Sequence, residues 1–326
     1  MTSQKVFAIG DIHGCADELN TLISTLPLDK NSTIIFLGDY IDRGPNSKKV
    51  IETIIELGTQ YNVIPLMGNH EAMLLEFLSD PSSSLAAYFI LNGGSATLAS
   101  YVSGENEYEI PKEHLSFFKN LKLFYQTENY FFVHAGVPNV RLSKINEKDH
   151  RNDLLWIRES FFKSWFQWGK VIVHGHSPRD QVEITRKRIN LDTGCIFNGM
   201  LSAMEVNSRE LFQVKSSGHK PHVFLKENPQ ISRVAKRFLG TIPVYVETPN
   251  GYEEFSTVNY NQFGLLIVDQ QPHRGKVFEV GQVLTGKIGT LDRDQIKFTG
   301  QVVRHAKRGN QLAYGIKMIE PLGKNN

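Results

Sequence analysis

Cysteine is scarce: Cys15 and Cys195 are the only two in 326 residues, which excludes a disulfide framework and fits a reducing compartment. Long apolar runs are missing as well. No stretch approaches the roughly 20 residues that a membrane-spanning helix needs, so membrane insertion is not expected. The chain enters a strand pattern directly after Met1-Thr2-Ser3-Gln4, without a charged segment followed by an apolar one. No signal peptide is therefore expected, and the implied location is cytoplasmic. Internal repeats and low-complexity tracts are also wanting.

Net charge is small at +2, but it is unevenly spread. Residues 1–219 carry 21 Lys+Arg against 25 Asp+Glu, or −4, and residues 220–326 carry 15 against 9, or +6. A basic half of this size does not by itself imply nucleic acid, and no nucleic-acid partner is expected. Hydrophobic residues make up 40% and charged residues 21%, enough for a sizeable core, and the length suggests two domains.

What the chain does have is a repeated gesture. Five apolar, β-prone runs each stop at a small residue and a cluster of Asp, Asn or His. Lys5 to Ile9 leads to Gly10-Asp11-Ile12-His13-Gly14, and Thr33 to Leu37 leads to Gly38-Asp39-Tyr40-Ile41-Asp42-Arg43-Gly44. Asn62 to Met67 leads to Gly68-Asn69-His70-Glu71, Tyr130 to Val133 to His134-Ala135-Gly136, and Val171 to Val173 to His174-Gly175-His176. Between the first three strands lie helical patterns: Leu19, Leu22, Ile23 and Leu26 stopped by Pro27, then Val50, Ile51, Ile54 and Leu57 after Asn46-Ser47 and before Gly58. Such alternation predicts a parallel sheet with right-handed crossovers and gathers the motifs at one sheet edge.

Carboxylates gathered there would repel one another without a cation among them. The Asp, His and Asn set suits manganese, iron or zinc and suits calcium poorly. Two divalent ions sharing a carboxylate activate water and neutralise a phosphoryl group, arginines clamp its remaining oxygens, and a histidine protonates the leaving oxygen. Phosphate-ester hydrolysis is the reaction this inventory serves.

These five motifs, in this order, resemble the phosphoprotein phosphatase family of metallophosphoesterases, closest to its compact bacterial and phage branch, over about residues 5–214. The resemblance implies an α/β fold of central β-sheets flanked by helices and direct attack by a metal-bridging hydroxide. It makes Asp11 and His13 ligands of one metal, Asp39 the bridge, and Asn69, His134 and His176 ligands of the second. It makes His70 the general acid, oriented by Asp42, and gives Arg43 and Arg158 to the substrate phosphate. His174 is then a supporting or core histidine, and Asp192 supports the site. The branch of this family that cleaves dinucleoside tetraphosphates usually has glutamine where this chain has His13, so a phosphoprotein substrate is expected, phosphoserine or phosphothreonine and also phosphotyrosine. A dinucleoside polyphosphate or small phosphoester is the alternative.

From Glu71 to about Leu121 the pattern is mostly helical, interrupted at Ser82-Ser83-Ser84 and Asn92-Gly93-Gly94, and a hairpin turns at Asn207-Ser208. The catalytic domain is placed at 1–217, a polar linker at 218–229 and a second domain at 230–326. Strands are expected there at 241–247, 263–268, 282–288, 296–305 and 312–319, which argues a small all-β antiparallel barrel. Arg233 and Arg237, with Asn259, Asn261 and Gly264, resemble the two binding stretches of the PilZ domain, which takes cyclic di-GMP. Asn261 stands where that family has serine. The resemblance implies cyclic di-GMP as a partner and nucleotide control of the phosphatase, or, in a reading of another class, a ligand-responsive scaffold.

Overall fold

The structure is a computed structural model, and it describes residues 4–80, 88–103, 107–218, 243–249, 251–261, 264–269, 278–288, 296–308 and 311–319. The chain divides into two compact units, one of Met1–Ala72 with Ser100–Phe224 and the other of Met73–Ala99 with Leu225–Asn326. The second unit is thus discontinuous in sequence.

In the first unit, β1 (Val6–Ile9), β2 (Thr33–Phe36) and β3 (Asn62–Pro65) run parallel, linked by helices α1 (Ala16–Thr25) and α2 (Ser47–Leu57). β1 and β2 are buried at every residue, as strands covered on both faces must be, whereas β3 is half-exposed and stands at the sheet edge with Pro65 at its end. α1 ends because Pro27 forces Leu26 into an extended conformation (ψ 132°). Asn46 occupies the N-cap of α2 without a side-chain capping bond, and Gly58 at its C-cap stays right-handed (φ −63°), so neither residue works there as its type suggests. After β3, α3 (Asn69–Ser79) begins within the third motif.

The interrupted helical stretch holds two departures from expectation. At Ile90–Gly94 two helical segments meet across a kink where Gly93 leaves helical geometry (φ 102°), a conformation that favours glycine. A small hairpin of β4 (Val102–Ser103) and β5 (Glu107–Tyr108) follows, too short for alternation to announce.

A second sheet is built from β6 (Phe124–Gln126), β7 (Tyr130–Val133), β8 (Val171–His174), β9 (Glu183–Ile184) and β10 (Arg188–Asn190), in the order β6-β7-β8-β10-β9. β11 (Asp192–Thr193), β12 (Met200–Glu205) and β13 (Glu210–Lys215) then return to the first sheet, with β12 antiparallel to β1. One core joins the two sheets: Ala8, Ile35, Leu37 and Met204 from the first pack with Phe132, Val173 and Ile189 from the second. Because β1, β2, β3, β7 and β8 share that core, their carboxyl ends bring all five motifs to one place.

The C-terminal region forms a closed antiparallel barrel of β14 (Pro243–Thr248), β15 (Gly251–Asn261), β16 (Gly264–Asp269), β17 (Val283–Ile288), β18 (Ile296–Arg308) and β19 (Gln311–Met318), in the order β14-β15-β16-β19-β18-β17. Closure leaves no edge strand exposed. Phe255, Phe278 and Tyr314 meet inside it, with ring centroids 5.2–6.2 Å apart. β15 was not expected. Its Tyr252-Glu253-Glu254 start is polar or exposed, and a bulge between Thr257 and Asn259 shifts the register, so the apolar alternation is blurred. Arg233 and Arg237 lie outside the described residues; Asn259 and Asn261 fall in β15, and Gly264 opens β16 opposite Asn261.

Candidate active site

Each motif residue arrives on a loop that leaves a buried strand, and the loops are tight. His13, Asp39, Asp42, Arg43 and His176 all hold left-handed backbone, with φ between 48° and 73°. Strain of this kind persists only where the surroundings over-determine it. The glycines explain part of that: a Cβ at Gly68 would strike Asp39 Oδ1, and one at Gly175 would strike Asp11 Oδ1. Carboxylates occupy the space that side chains would otherwise fill.

Asp39 is the centre. Its Oδ1 lies 3.4 Å from His134 Nε2 and its Oδ2 lies 3.6 Å from His13 Nε2 and 3.9 Å from His70 Nε2. Two groups of potential ligands, His13 with Asp39 and His70, and Asp39 with His134 and His176, share this one carboxylate. Asp11 stands slightly apart, both its oxygens accepting from His176 N at 3.2 and 3.1 Å.

The histidine tautomers are set from outside. His13 Nδ1 donates to Ile41 O (2.8 Å) and His134 Nδ1 to Leu37 O (2.9 Å), which turns each Nε2 inward; burial lowers His134, but Asp39 beside it raises it against that effect. Asn69 Oδ1 is approached at 2.9 Å by both His134 Nε2 and His176 Nδ1, while His176 Nε2 is buried without a partner. The buried His176 Nε2 lone pair is an acceptor that a cation there would satisfy.

Electrostatics agree. Burial, with Asp192 and Asp39 beside it, pushes the Asp11 carboxyl well up, and burial carries Asp192 to about 6. Burial also raises Asp39, but His134, His70 and His13 outweigh it and hold that carboxyl well below its ordinary range. Burial lowers His13 to about 3 and drives His70 and His176 well down, so these rings are neutral donors of lone pairs. Crowded acids beside imidazoles fit divalent metal, and the buried groups that could hold it include His13, Asp39 and His70 on one side and Asp39, His134 and His176 on the other.

The profile of the calcineurin-like phosphoesterases matches residues 4–207, which takes in all five motifs. The chain belongs to that family. It is a metal-dependent phosphoester hydrolase. Among its relatives is a protein of Oceanobacillus iheyensis named as an asymmetrical bis(5'-nucleosyl)-tetraphosphatase, PrpE, 28% identical over 65% of this chain and 92% of the relative. Another of the same name from Anoxybacillus flavithermus is 28% identical over 68% of this chain and 97% of the relative. A crystal structure described as a proposed diadenosine tetraphosphatase shares the fold, with a TM-score of 0.50 at 21% identity over 67% of this chain and 96% of that one.

In this phosphoesterase His70 Nδ1 donates to Asp42 Oδ2 at 2.6 Å, which leaves Nε2 facing the Asp39 carboxylate. Arg43 Nη1 donates to His13 Nε2 at 3.0 Å, and the positive charge of Arg158 acts on both Arg43 and His176. Both guanidiniums therefore belong to the same pocket of charge. His174 does not: its ring is buried edge-on against Phe161 and Phe162, and it packs as a core histidine. Asp192 accepts from Gly194 N (3.0 Å) and acts on Asp11 through its charge.

Sequence reasoning gave no role to Glu71, yet that side chain ties two motifs together. Its Oε2 accepts from Asp39 N and Gly68 N (both 3.0 Å), and its Oε1 from Tyr40 N (2.8 Å) and Ile41 N (3.3 Å). One buried carboxylate thus fixes the strained loop that presents Asp39. Glu71→Gln, whose amide nitrogen cannot accept, is expected to weaken metal affinity by about 10- to 100-fold while secondary structure is kept. Titration of the metal-stripped protein with manganese, followed by calorimetry, checks this; unchanged affinity would remove the assignment.

Proposed function

We propose that this phosphoesterase hydrolyses dinucleoside tetraphosphates and splits them unequally, into a nucleoside monophosphate and a triphosphate. The observation that carries the reading is the pair of relatives matched over 92% and 97% of their own lengths, both named as asymmetrical tetraphosphatases. This replaces the expectation of a phosphoprotein substrate, which rested on His13 alone. The Arg43 guanidinium supports it: it lies 5.5 Å from the ring centroid of Phe197, a side chain 36% exposed. A phosphate clamp next to an exposed aromatic ring suits a nucleotide, whose base stacks as its phosphate is held.

The two ions, when bound by Asp11, His13, Asp39, Asn69, His134 and His176, lower the pKa of water and offset charge on the phosphoryl group. Arg43 and Arg158 hold the free phosphoryl oxygens and orient the phosphorus. Asp42 accepts the His70 Nδ1 proton and keeps the ring aimed inward, so that Nε2 is the atom that would carry a second proton to the leaving group. The metal-loaded enzyme should release AMP and ATP in equal amounts from diadenosine tetraphosphate, with a kcat/KM well above that for a phosphoserine peptide. Phosphate release from the peptide alone would overturn the reading.

The closed six-stranded barrel favours a second statement, about control. Its topology supports reading the C-terminal module as PilZ-like. Cyclic di-GMP should then change the hydrolysis rate in the wild type and leave an Arg233→Ala/Arg237→Ala variant unmoved; indifference in both would make the barrel a tether. Among the described residues no helix is long and apolar enough to cross a membrane.

A further inference from the structure

Both cysteines of the chain lie close together, and the mechanism uses neither. Cys15 Sγ, Cys195 Sγ and a carboxylate oxygen of Glu18 lie within 4.8 Å of one another, and all three side chains are buried. We propose that they form a third metal site, separate from the Asp/His pair, for a thiophilic divalent ion of the zinc class.

The ligands come from two distant segments that the fold brings together. Cys15 is the N-cap of α1 and Glu18 lies in its first turn, three residues on and so on the same helix face. Cys195 opens the short turn Cys195–Phe197, delivered by left-handed Gly194 (φ 66°). The Glu18 carboxylate is already fixed, since its Oε1 accepts from Ser217 N (2.8 Å) and Ser217 Oγ (2.7 Å). Cys15 makes no side-chain capping bond to α1; its thiol instead lies against Cys195 and 3.7 Å from His13 O, so the two sulphurs already face one another.

Donor chemistry separates this site from its neighbour. Two sulphurs and one oxygen select zinc or cadmium over manganese, whereas the Asp/His/Asn set carries no sulphur. On binding, two metal–sulphur bonds form, both thiol protons pass to solvent, and no electron changes hands. Three protein donors leave one tetrahedral position open. An ion there would clip the α1 end of the first motif to the turn after Asp192, outside the reacting centre.

Cadmium is the probe, because thiolate-to-cadmium charge transfer absorbs in the ultraviolet and His or carboxylate ligation does not. The full-length protein, stripped by chelator and reduced, is titrated with cadmium alone. The expected result is a sulphur charge-transfer band that saturates at one ion per chain and is lost in Cys15→Ser/Cys195→Ser, with zinc retained after gel filtration lower by one ion per chain in the variant. The absence of that band in the wild type would overturn the proposal whether or not the variant folds. Recovery of Cys15 and Cys195 as a disulfide from protein prepared without reductant, by thiol count under denaturing conditions, would overturn it too.

Discussion

Asp39→Asn is expected to lower kcat by about 10³-fold or more, with circular dichroism and melting temperature close to the wild type. The size follows from what one carboxylate does here. Its two oxygens face opposite ligand groups, His134 at 3.4 Å and His13 at 3.6 Å, so under the proposed function it would share its charge between two metal positions. Loss of a shared anionic ligand removes several kcal/mol of metal-dependent transition-state stabilisation, and about 4 kcal/mol is about 10³ in rate. The fold should tolerate the change because asparagine matches the shape, can still accept from His70 N, and adopts the φ of 54° that this position requires. Steady-state kinetics at saturating metal check it, and full activity in the variant would refute the bridging role. Glu71→Gln makes a useful contrast: it loosens the loop that carries Asp39 without removing a ligand, so excess metal should restore its activity but not that of Asp39→Asn.

How much of this was written plainly in the chain depends on distance along it. The meeting of Asp11, His13, Asp39, Asn69, His134 and His176 was legible because each leaves the end of a strand with a glycine within two residues of it, and parallel strands collect such loops at one edge. Glu71 was not, since its work is to accept backbone N–H groups some 30 residues away, and a backbone donor has no residue type to recognise. Phe197 was missed for a related reason: an aromatic ring after Cys195-Ile196 reads as core, and only the left-handed turns at Gly194 and Asn198 bring it out beside Arg43. Cys15 and Cys195 stand 180 positions apart, and nothing short of the return of β11 and β12 to the first sheet places them together. In the barrel, five of the six strands were expected from the sequence, but β15 begins with exposed acidic and aromatic residues and carries a bulge, so its period of two is lost.

The effect of His70→Asn should depend on what leaves. His70 Nε2 faces the site while Nδ1 donates to Asp42, so the ring acts as an acid at Nε2 only when it takes a second proton there, a charge that Asp42 and Asp39 would favour. An alkoxide leaving from a phosphoserine peptide is a strong base and must be protonated as the bond breaks, so there the variant should lose about 10²- to 10⁴-fold in kcat with KM little changed. A triphosphate leaving from a dinucleoside tetraphosphate is a far weaker base, its terminal phosphate ionising with a pKa of about 6, and gains little from a proton donor. On that substrate the loss should be about tenfold or less, as Brønsted behaviour requires. Measuring both substrates on wild type and His70→Asn therefore tests two things at once. An equally large loss on both would mean that His70 acts by holding Asp39 and the metals rather than by moving a proton. A change confined to KM would remove it from the chemical step altogether.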